Sequence, residues 1–254
     1  MLAEFEPPAV TLVRPDSRSP FVFTVDHASA RIPQALGDLG LAHAERTRHI
    51  AWDIGALAVA TLLAGQFDAT LVATGYSRLV IDCNRHPWRE DSIPPVSELT
   101  EIPGNRGLSA ADREARRQAF HAPYHAAISG LLDARLHAGR PLVYVAVHSF
   151  TPVYKGEARP WQVAMLSNRD RRLADFLLRE LHRDPSLCIG DNIPYRVTDE
   201  GDYGIPVHAE SRGIPHVLIE LRQDEIVEPA GQRAWVARLA PLLARALIEL
   251  DLAA

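Results

Sequence analysis

Hydrophobic and polar positions along the chain repeat with two periods, one typical of buried strands and one typical of helices. Six short apolar runs have the length of strands buried on both faces: 21–27, 70–73, 79–82, 141–150, 161–166 and 216–221. Four segments instead place apolar residues at helical spacing: 44–64, 109–137, 170–181 and 231–252. Strands that alternate with helices predict an α/β three-layer sandwich, with helices on both faces of a mostly parallel or mixed central sheet.

Three of the predicted strands carry, at or near their ends, a side chain that can do chemistry. The first run stops at His27, the long central run reaches His148, and the last run reaches Glu220. Ligands of open α/β sheets collect at the carboxyl ends of the strands. We therefore expect these three side chains at one edge of the sheet. Glu220 lies within an apolar strand, and a buried glutamate ordinarily has a partner or a task.

Histidines and carboxylates that converge at a sheet edge are the ligand types of a catalytic zinc site. Such a site uses three protein ligands and keeps a fourth position for water, whose pKa the metal lowers to about 7 so that a nearby carboxylate can take its proton. His27, His148 and Glu220 supply these groups, and Asp53 lies within the helical pattern of 44–64. Taken singly, each histidine is ordinarily a hydrogen-bonded loop residue, and Asp53 is a helix cap or an ion-pair partner.

Other polar residues offer substrate contacts or a competing metal site. Asn84 and Arg85 follow the run 79–82, and a guanidinium beside an amide suits a carboxylate or a developing oxyanion. His208 and Glu210 lie on one side of an extended segment and form a rival metal site. Further candidates for substrate binding are Ser149, Tyr203 and Arg212.

Composition and charge narrow the classes of protein. The 254 residues fit one α/β domain over 1–254. A net charge of -5 argues against a nucleic-acid partner. Two isolated cysteines exclude a disulfide scaffold and a zinc module of four cysteines. The sequence contains neither a GxGxxG nor a GxxxxGK[ST] motif, so it gives no indication of a nucleotide site. The acidic, proline-containing start and the lack of an apolar stretch near ~20 residues predict a cytoplasmic protein without a membrane partner.

Two loops and one helix start are also predicted. Residues 88–108 form a long segment rich in Pro, Ser and Glu, and a loop of this length is typically a lid or a binding loop. Residues 188–208 are loop-like as well. Ser109 is predicted as an N-cap, with Asp112 three residues later as a variant capping box.

Four blocks of sequence resemble one known family. They are VDHASARIP at 25–33, SRLVIDCNR at 77–85, HSF at 148–150 and GIPHVLIE at 213–220. In this order they resemble the N-formylglutamate amidohydrolase family, and the match runs over nearly the whole chain. The Ser-Arg…Asp-x-Asn-Arg block and the final Ile-Glu-Leu are its most specific parts.

The resemblance implies a zinc-carboxypeptidase-like fold and one Zn²⁺ held by His27, Asp53 and His148, although other divalent metals can use the same ligands. It implies Glu220 as general base and later general acid. Asn84 and Arg85 resemble the pair that engages the substrate carboxylate or polarises the scissile carbonyl, so Arg85 is also a catalytic candidate. The His-x-x-Glu spacing of carboxypeptidases is missing because Ala30 occupies the position of the glutamate. The carboxylate ligand therefore comes from elsewhere, and we favour Asp53 over Asp26.

The favoured hypothesis is a zinc-dependent amidohydrolase that releases an acyl group, formyl above all, from an amino acid such as glutamate. The partner would be a small-molecule N-acyl amino acid. Two alternatives stay open: a cell-wall or small-peptide amidase on the same scaffold, and a non-catalytic relative that binds a metal or ligand. The resemblance leaves the oligomeric state, the native metal and the true substrate open.

Overall fold

A mixed sheet of seven strands organises the chain in the computed structural model, which describes residues 1–252. The strands, including two short hairpins outside this sheet, are β1 (Val10–Val13), β2 (Phe21–Val25), β3 (Thr70–Thr74), β4 (Val96–Ser97), β5 (Thr100–Glu101), β6 (Val143–Phe150), β7 (Val153–Tyr154), β8 (Glu157–Ala158), β9 (Val163–Leu166), β10 (Ile189–Asp191) and β11 (His216–Arg222). The order in the main sheet is β1-β3-β2-β6-β11-β9-β10.

The four central strands are parallel, so their carboxyl ends meet at one edge. β3, β2, β6 and β11 pair in parallel, β1 and β9 join them antiparallel, and β10 pairs parallel to β9. Glu220 on β11 is the register partner of His148 on β6. The predicted convergence of these two side chains therefore follows from the strand pairing.

Helices cover both faces of the sheet and confirm the predicted three-layer α/β sandwich. They are α1 (His43–Arg46), α2 (Ala56–Gln66), α3 (Ala110–Arg116), α4 (Ala122–His137), α5 (Arg172–Leu181), α6 (Gln223–Ile226) and α7 (Pro229–Glu249). α2, α5 and α7 bury apolar side chains against one face. α4 and the π-helical segment Gly204–Ala209 cover the other face. Within residues 1–252, no helix is both long and apolar enough to cross a bilayer.

Strand alternation decides which face each chemical group occupies. On β6, Val145 and Val147 pack toward α2 and α7, whereas Tyr144 packs toward α4. His148 follows Tyr144 at an even spacing and therefore points to the α4 side. Glu220, in register with His148, points the same way. The reactive groups are thus gathered on the face that α4 covers.

The predicted strand 79–82 is wrong. Leu79, Val80 and Ile81 are fully buried, but Leu79 and Val80 lie in a turn and Ile81 lies in irregular backbone. The Val80 N–H donates to the carbonyl of Ser77, and the Ser77 hydroxyl accepts from the Leu79 N–H at 3.1 Å. The apolar run is buried beneath the long 88–108 segment, so burial alone produced a pattern that resembles a strand.

The predicted helix 44–64 is interrupted, and Asp53 does not lie on it. α1 ends at Arg46 and α2 begins at Ala56, with Asp53 in the intervening loop. Gly55 has a φ of 82°, and a Cβ there would lie 2.4 Å from the Ile226 carbonyl oxygen. The chain turns sharply at this point because Gly55 tolerates both constraints.

The buried face of α2 also differs from the sequence pattern, which predicts a buried stripe of Ile50, Ile54, Leu57, Ala58 and Leu62. The buried residues of α2 are Ala56, Val59, Ala60, Leu63 and Ala64, and Leu62 is exposed. The helix over 109–137 forms as α3, a π-helical turn (Arg117–His121) and α4. Its predicted capping box is confirmed, because the Asp112 N–H donates to the Ser109 hydroxyl and the Asp112 carboxylate accepts from the Ser109 N–H.

The two predicted loops contain short regular elements. The 88–108 segment holds the β4–β5 hairpin and the 3₁₀ turns Glu90–Ser92 and Pro103–Asn105. The 188–208 segment holds β10 and most of a π-helical segment. A 3₁₀ turn, Glu210–Arg212, follows it, and another, Gln34–Leu36, lies near the start of the chain.

Candidate functional site

Two buried histidines face the same carboxylate oxygen at the carboxyl edge of the sheet. His27 lies two residues beyond β2, and its Nδ1 is 3.2 Å from Asp53 Oδ2. His148 lies near the end of β6, and its Nδ1 is 2.9 Å from the same oxygen. Ligand atoms of these three residues all lie within 4.8 Å of one another. The structure therefore brings together the three residues that were predicted to hold a metal.

The other ring nitrogen of each histidine is held by a second buried carboxylate. His27 Nε2 lies 2.7 Å from Asp82 Oδ1, and His148 Nε2 lies 3.1 Å from Asp26 Oδ2. A carboxylate on one ring nitrogen fixes the ring orientation and leaves the other nitrogen for a metal. Asp26, which was the alternative to Asp53 as a ligand, thus lies behind His148 instead of beside the shared oxygen.

The cluster contains three buried carboxylates. They belong to Asp26, Asp53 and Asp82, and Arg78 lies 2.6 Å from Asp82 and 3.6 Å from Asp53. Burial opposes ionisation of Asp53, but the charge of His27 and the hydrogen bond from His148 outweigh it and lower its pKa.

The same carboxylates make the site favourable for positive charge. Burial disfavours a charged ring at His148, yet its hydrogen bonds to Asp26 and Asp53 raise its pKa well above the ordinary value. With both rings neutral and acceptors at Nδ1, neither ring would offer a proton to the Asp53 oxygen that lies between them. A proton or a metal cation must lie among them, and the donor set of two imidazoles and one carboxylate fits zinc.

Glu220 is a buried carboxylate beside this cluster. It is 5% exposed, and its Oε2 has no hydrogen-bond partner within residues 1–252. Burial raises the pKa of Glu220 to about 7. A carboxyl group with such a pKa can accept and return a proton near neutral pH.

Ser149 and the chain around Asp53 position the shared carboxylate. The Asp53 N–H donates to the His27 carbonyl at 2.9 Å. The Ser149 N–H lies 3.3 Å from Asp53 Oδ2, and its hydroxyl donates to the Ile54 carbonyl at 2.8 Å. Ser149 was predicted to bind substrate; its hydroxyl holds the loop of Asp53 in place.

The cluster opens into a cavity of about 310 Å³. Its wall includes the three candidate ligands and Glu220, together with Asn84, Arg85, Ser149, Arg78, Glu98, Tyr195 and Arg196. Glu98 comes from the long 88–108 segment, which therefore contributes to the cavity as a predicted binding loop would. Arg48 forms an ion pair with that carboxylate, and His49 Nε2 lies 3.4 Å from it.

Two arginines in the cavity wall have donors left for a ligand. Arg85 donates through Nη1 to the carbonyls of Asn84 and Gly201 at 3.0 and 2.7 Å, and its Nη2 makes no hydrogen bond within residues 1–252. Arg196 is exposed, and it forms no ion pair with any group of residues 1–252. Each of these two guanidinium groups can donate to an anionic group of a ligand.

Asn84 and Tyr203, both predicted to bind substrate, lie in different places relative to the cavity. Asn84 lines the cavity, but its Oδ1 accepts from the Tyr203 and Gly204 N–H groups and its Nδ2 donates to Asp202. This amide therefore shapes the loop beside Arg85. The Tyr203 ring packs against His125, outside the cavity wall.

Arg212 and the rival metal pair lie elsewhere. Arg212 does not line the cavity, because its guanidinium donates to Asp133 at 2.6 Å and to the Val207 carbonyl. His208 Nε2 pairs with His125 Nδ1 at 2.7 Å. Glu210 pairs with Arg169 instead. His208 and Glu210 therefore do not converge on a common position.

A family model described as N-formylglutamate amidohydrolase matches residues 19–227. The chain belongs to this family. A crystal structure of gene product Atu2144 from Agrobacterium tumefaciens is 40% identical with a TM-score of 0.95, covering 98% of this chain and 99% of that one. The N-formylglutamate amidohydrolase of Ralstonia eutropha JMP134 shares the fold at 20% identity and a TM-score of 0.67, over 94% and 97% of the two chains. No curated protein matches the chain.

Membership of the N-formylglutamate amidohydrolase family indicates a hydrolase of the amidohydrolase class that acts on a small molecule.

Several residues of the site were not assigned a role from sequence. Arg78 and Asp82 belong to the block that carried the resemblance, so a signal for them existed. Tyr124, whose hydroxyl donates to Asp26, and Arg196 carried none, because an isolated tyrosine on a helix and an arginine in a loop fit many structural roles.

Proposed function

We propose that this chain is a zinc-dependent amidohydrolase that removes the acyl group, formyl above all, from an N-acyl acidic amino acid such as N-formylglutamate, and that 1–254 forms one catalytic domain. The last two of these residues lie outside the described part of the chain. One observation carries the proposal. The Nδ1 atoms of His27 and His148 converge on Asp53 Oδ2, while a separate carboxylate holds each Nε2.

The proposed roles divide between holding the ion and moving a proton. His27, Asp53 and His148 would hold the metal, which when bound polarises a carbonyl and lowers the pKa of water. Glu220 would take a proton at Oε2 from the attacking water. It would then deliver that proton to the nitrogen of the leaving amine, so the C–N bond breaks as the amino acid leaves.

The cations in the cavity wall support an anionic substrate. Arg85 would bind the α-carboxylate or the developing oxyanion through Nη2, since Nη1 is held by two carbonyls. Arg196 would bind a second carboxylate at the mouth. The volume of about 310 Å³ is at the small end of ligand sites, which favours an acylated amino acid over a muropeptide.

The test is a metal analysis followed by a substrate screen. Elemental analysis of the purified protein is expected to give about one zinc per chain, the stoichiometry of a three-ligand catalytic site. A panel of N-formyl and N-acetyl amino acids is expected to give the highest kcat/KM for N-formylglutamate or N-formylaspartate. Cleavage of muropeptides alone would support the amidase alternative. Bound zinc without hydrolysis of any panel member would support a non-catalytic relative.

A further inference from the structure

The two carboxylates behind the histidines are stabilised in different ways. Asp82 faces Arg78 at 2.6 Å and accepts the Asn84 N–H at 2.8 Å, in addition to His27. Asp26 has no arginine or lysine at ion-pair distance within residues 1–252. Apart from His148, Tyr124 is the side chain that hydrogen-bonds to this carboxylate in the described part of the chain, at 2.5 Å.

Tyr124 is placed for this contact by α4, and it is fully buried. Its hydroxyl donates to Asp26 Oδ1, while Asp26 Oδ2 faces His148. A hydroxyl-to-carboxylate distance near 2.5–2.7 Å is that of a short, charge-assisted hydrogen bond. Burial raises the pKa of Tyr124 well above its ordinary value, so the phenol stays a donor.

Removing that donor would leave a buried carboxylate oxygen unsatisfied. The cost of such a group exceeds the net gain from forming an ordinary hydrogen bond. Asp26 would then turn toward another donor, and the ring of His148 would lose the partner that sets its orientation. Groups that hold a metal-binding histidine from behind affect metal affinity about 10–100-fold.

We propose that Tyr124 is a positioning residue of the metal site: through Asp26 it holds the His148 ring with Nδ1 toward Asp53, and so sets the affinity for the metal. The inference rests on the proposed metal site. Tyr124 touches none of the three candidate ligands, and its effect passes through Asp26.

Tyr144 provides a matched control for a tyrosine-to-phenylalanine change. It is as fully buried as Tyr124 and lies nearby on β6. Its hydroxyl accepts from Thr24 at 3.0 Å and makes no bond to Asp26. A purely structural effect of losing a buried phenol would appear in both variants.

The experiment is a competition titration of metal-free protein with zinc against a chromophoric chelator. Tyr124→Phe is expected to weaken zinc binding about tenfold or more, the range for such supporting groups, whereas Tyr144→Phe leaves it unchanged. In the cobalt-substituted protein, Tyr124→Phe is expected to shift the visible d–d bands and Tyr144→Phe is not. Equal zinc affinity in wild type and Tyr124→Phe would overturn the inference while leaving the zinc site intact.

A double-mutant cycle tests the route through Asp26. Asp26→Asn is expected to weaken zinc binding itself, and adding Tyr124→Phe in that background is expected to have no further effect. Independent, additive losses would show that Tyr124 acts by another path and would overturn the inference. A wild-type chain that binds no zinc at all would contradict the proposed function and this inference together.

Discussion

The carboxylates at the sheet edge differ in whether their oxygens already have hydrogen-bond partners. Asp26 and Asp82 each hold a histidine, and Asp53 is shared between two rings. Glu220 is buried, yet one of its oxygens has no hydrogen bond to any group of residues 1–252. An unpartnered buried carboxylate is costly for stability, which favours a role in proton transfer for Glu220.

Glu220→Gln tests that role directly. The amide keeps the shape of the side chain but cannot accept the proton, so kcat is expected to fall about 10²-fold or more. Zinc content should stay at the wild-type value, because Glu220 is not among the proposed ligands. His148→Ala is the comparison, since it should lose the metal. Wild-type turnover in Glu220→Gln would remove this residue from the mechanism.

Arg196→Gln tests the charge selectivity of the cavity mouth. Loss of a charge-assisted contact is expected to raise KM for N-formylglutamate about tenfold with little change in kcat. KM for N-formylglutamine should change little, because its side chain carries no charge. Arg212→Gln is the control, since that guanidinium is engaged by Asp133 outside the cavity. Equal effects on both substrates would rule out recognition of the second carboxylate.

At this scale the sequence predicted which residues converge but not which atoms face the center. His27, His148 and Glu220 were evident from the strand ends. The choice between Nδ1 and Nε2 depends on carboxylates that lie far away along the chain, such as Asp82, 55 residues beyond His27. The link from Tyr124 to Asp26 spans 98 residues and has no local signal.

Among the secondary-structure elements, the turn before α2 positions Asp53. The chain leaves α1, passes through Asp53, and enters α2 at Gly55 with a positive φ. The prediction of one continuous helix failed because the apolar spacing of 44–64 continues through the turn. Gly55 is the local signal for the break, but its proximity to Ile226 is tertiary.

Gly55→Ala tests the importance of this turn. A Cβ 2.4 Å from the Ile226 oxygen and the φ of 82° both oppose the substitution. We expect a loss of unfolding free energy of about 1–3 kcal/mol, together with weaker zinc binding because Asp53 shifts. Chemical denaturation and zinc titration would measure the two effects.

Gly65→Ala, in the last turn of α2, is the matched control. Nothing lies within 4 Å of a Cβ at Gly65. Alanine is favoured over glycine by roughly 0.5–1 kcal/mol in the middle of a helix, so this variant should be at least as stable as wild type. A Gly55→Ala protein as stable as Gly65→Ala would contradict the account of the turn.

For the whole molecule, the alternation of strands and helices was sufficient to predict the α/β layers. The order of strands was not predictable, because it depends on which strands pair across long crossovers. The non-strand segment Leu79–Ile81 was mistaken for a strand because burial under the 88–108 segment gives the same apolar run. β1 and β10 were missed since both are short strands at the sheet edges.

Stability should depend on pH through a buried histidine pair. Burial lowers the pKa of His125 well below its ordinary value and that of His208 to about 4. Both groups titrate near 6.5 when unfolded. Between about pH 6.5 and 4 the unfolded chain binds more protons at these histidines than the folded chain does. The contribution of the pair to the unfolding free energy is therefore complete above this window and falls as pH decreases through it.

Denaturant titrations of metal-free protein across this window would measure the effect. In His208→Gln one of the two groups is gone, so the slope of unfolding free energy against pH should become smaller by up to about 1.4 kcal/mol per pH unit. Identical slopes for wild type and His208→Gln would show that this histidine does not carry the effect.

The most direct test of the central claim is anomalous scattering at the zinc edge from crystals of the metal-loaded protein. The account predicts one strong peak per chain, about 2.0–2.2 Å from Nδ1 of His27, Nδ1 of His148 and a carboxylate oxygen of Asp53. A peak at another position, such as beside His208 and Glu210, or no peak between the two histidines, would contradict it.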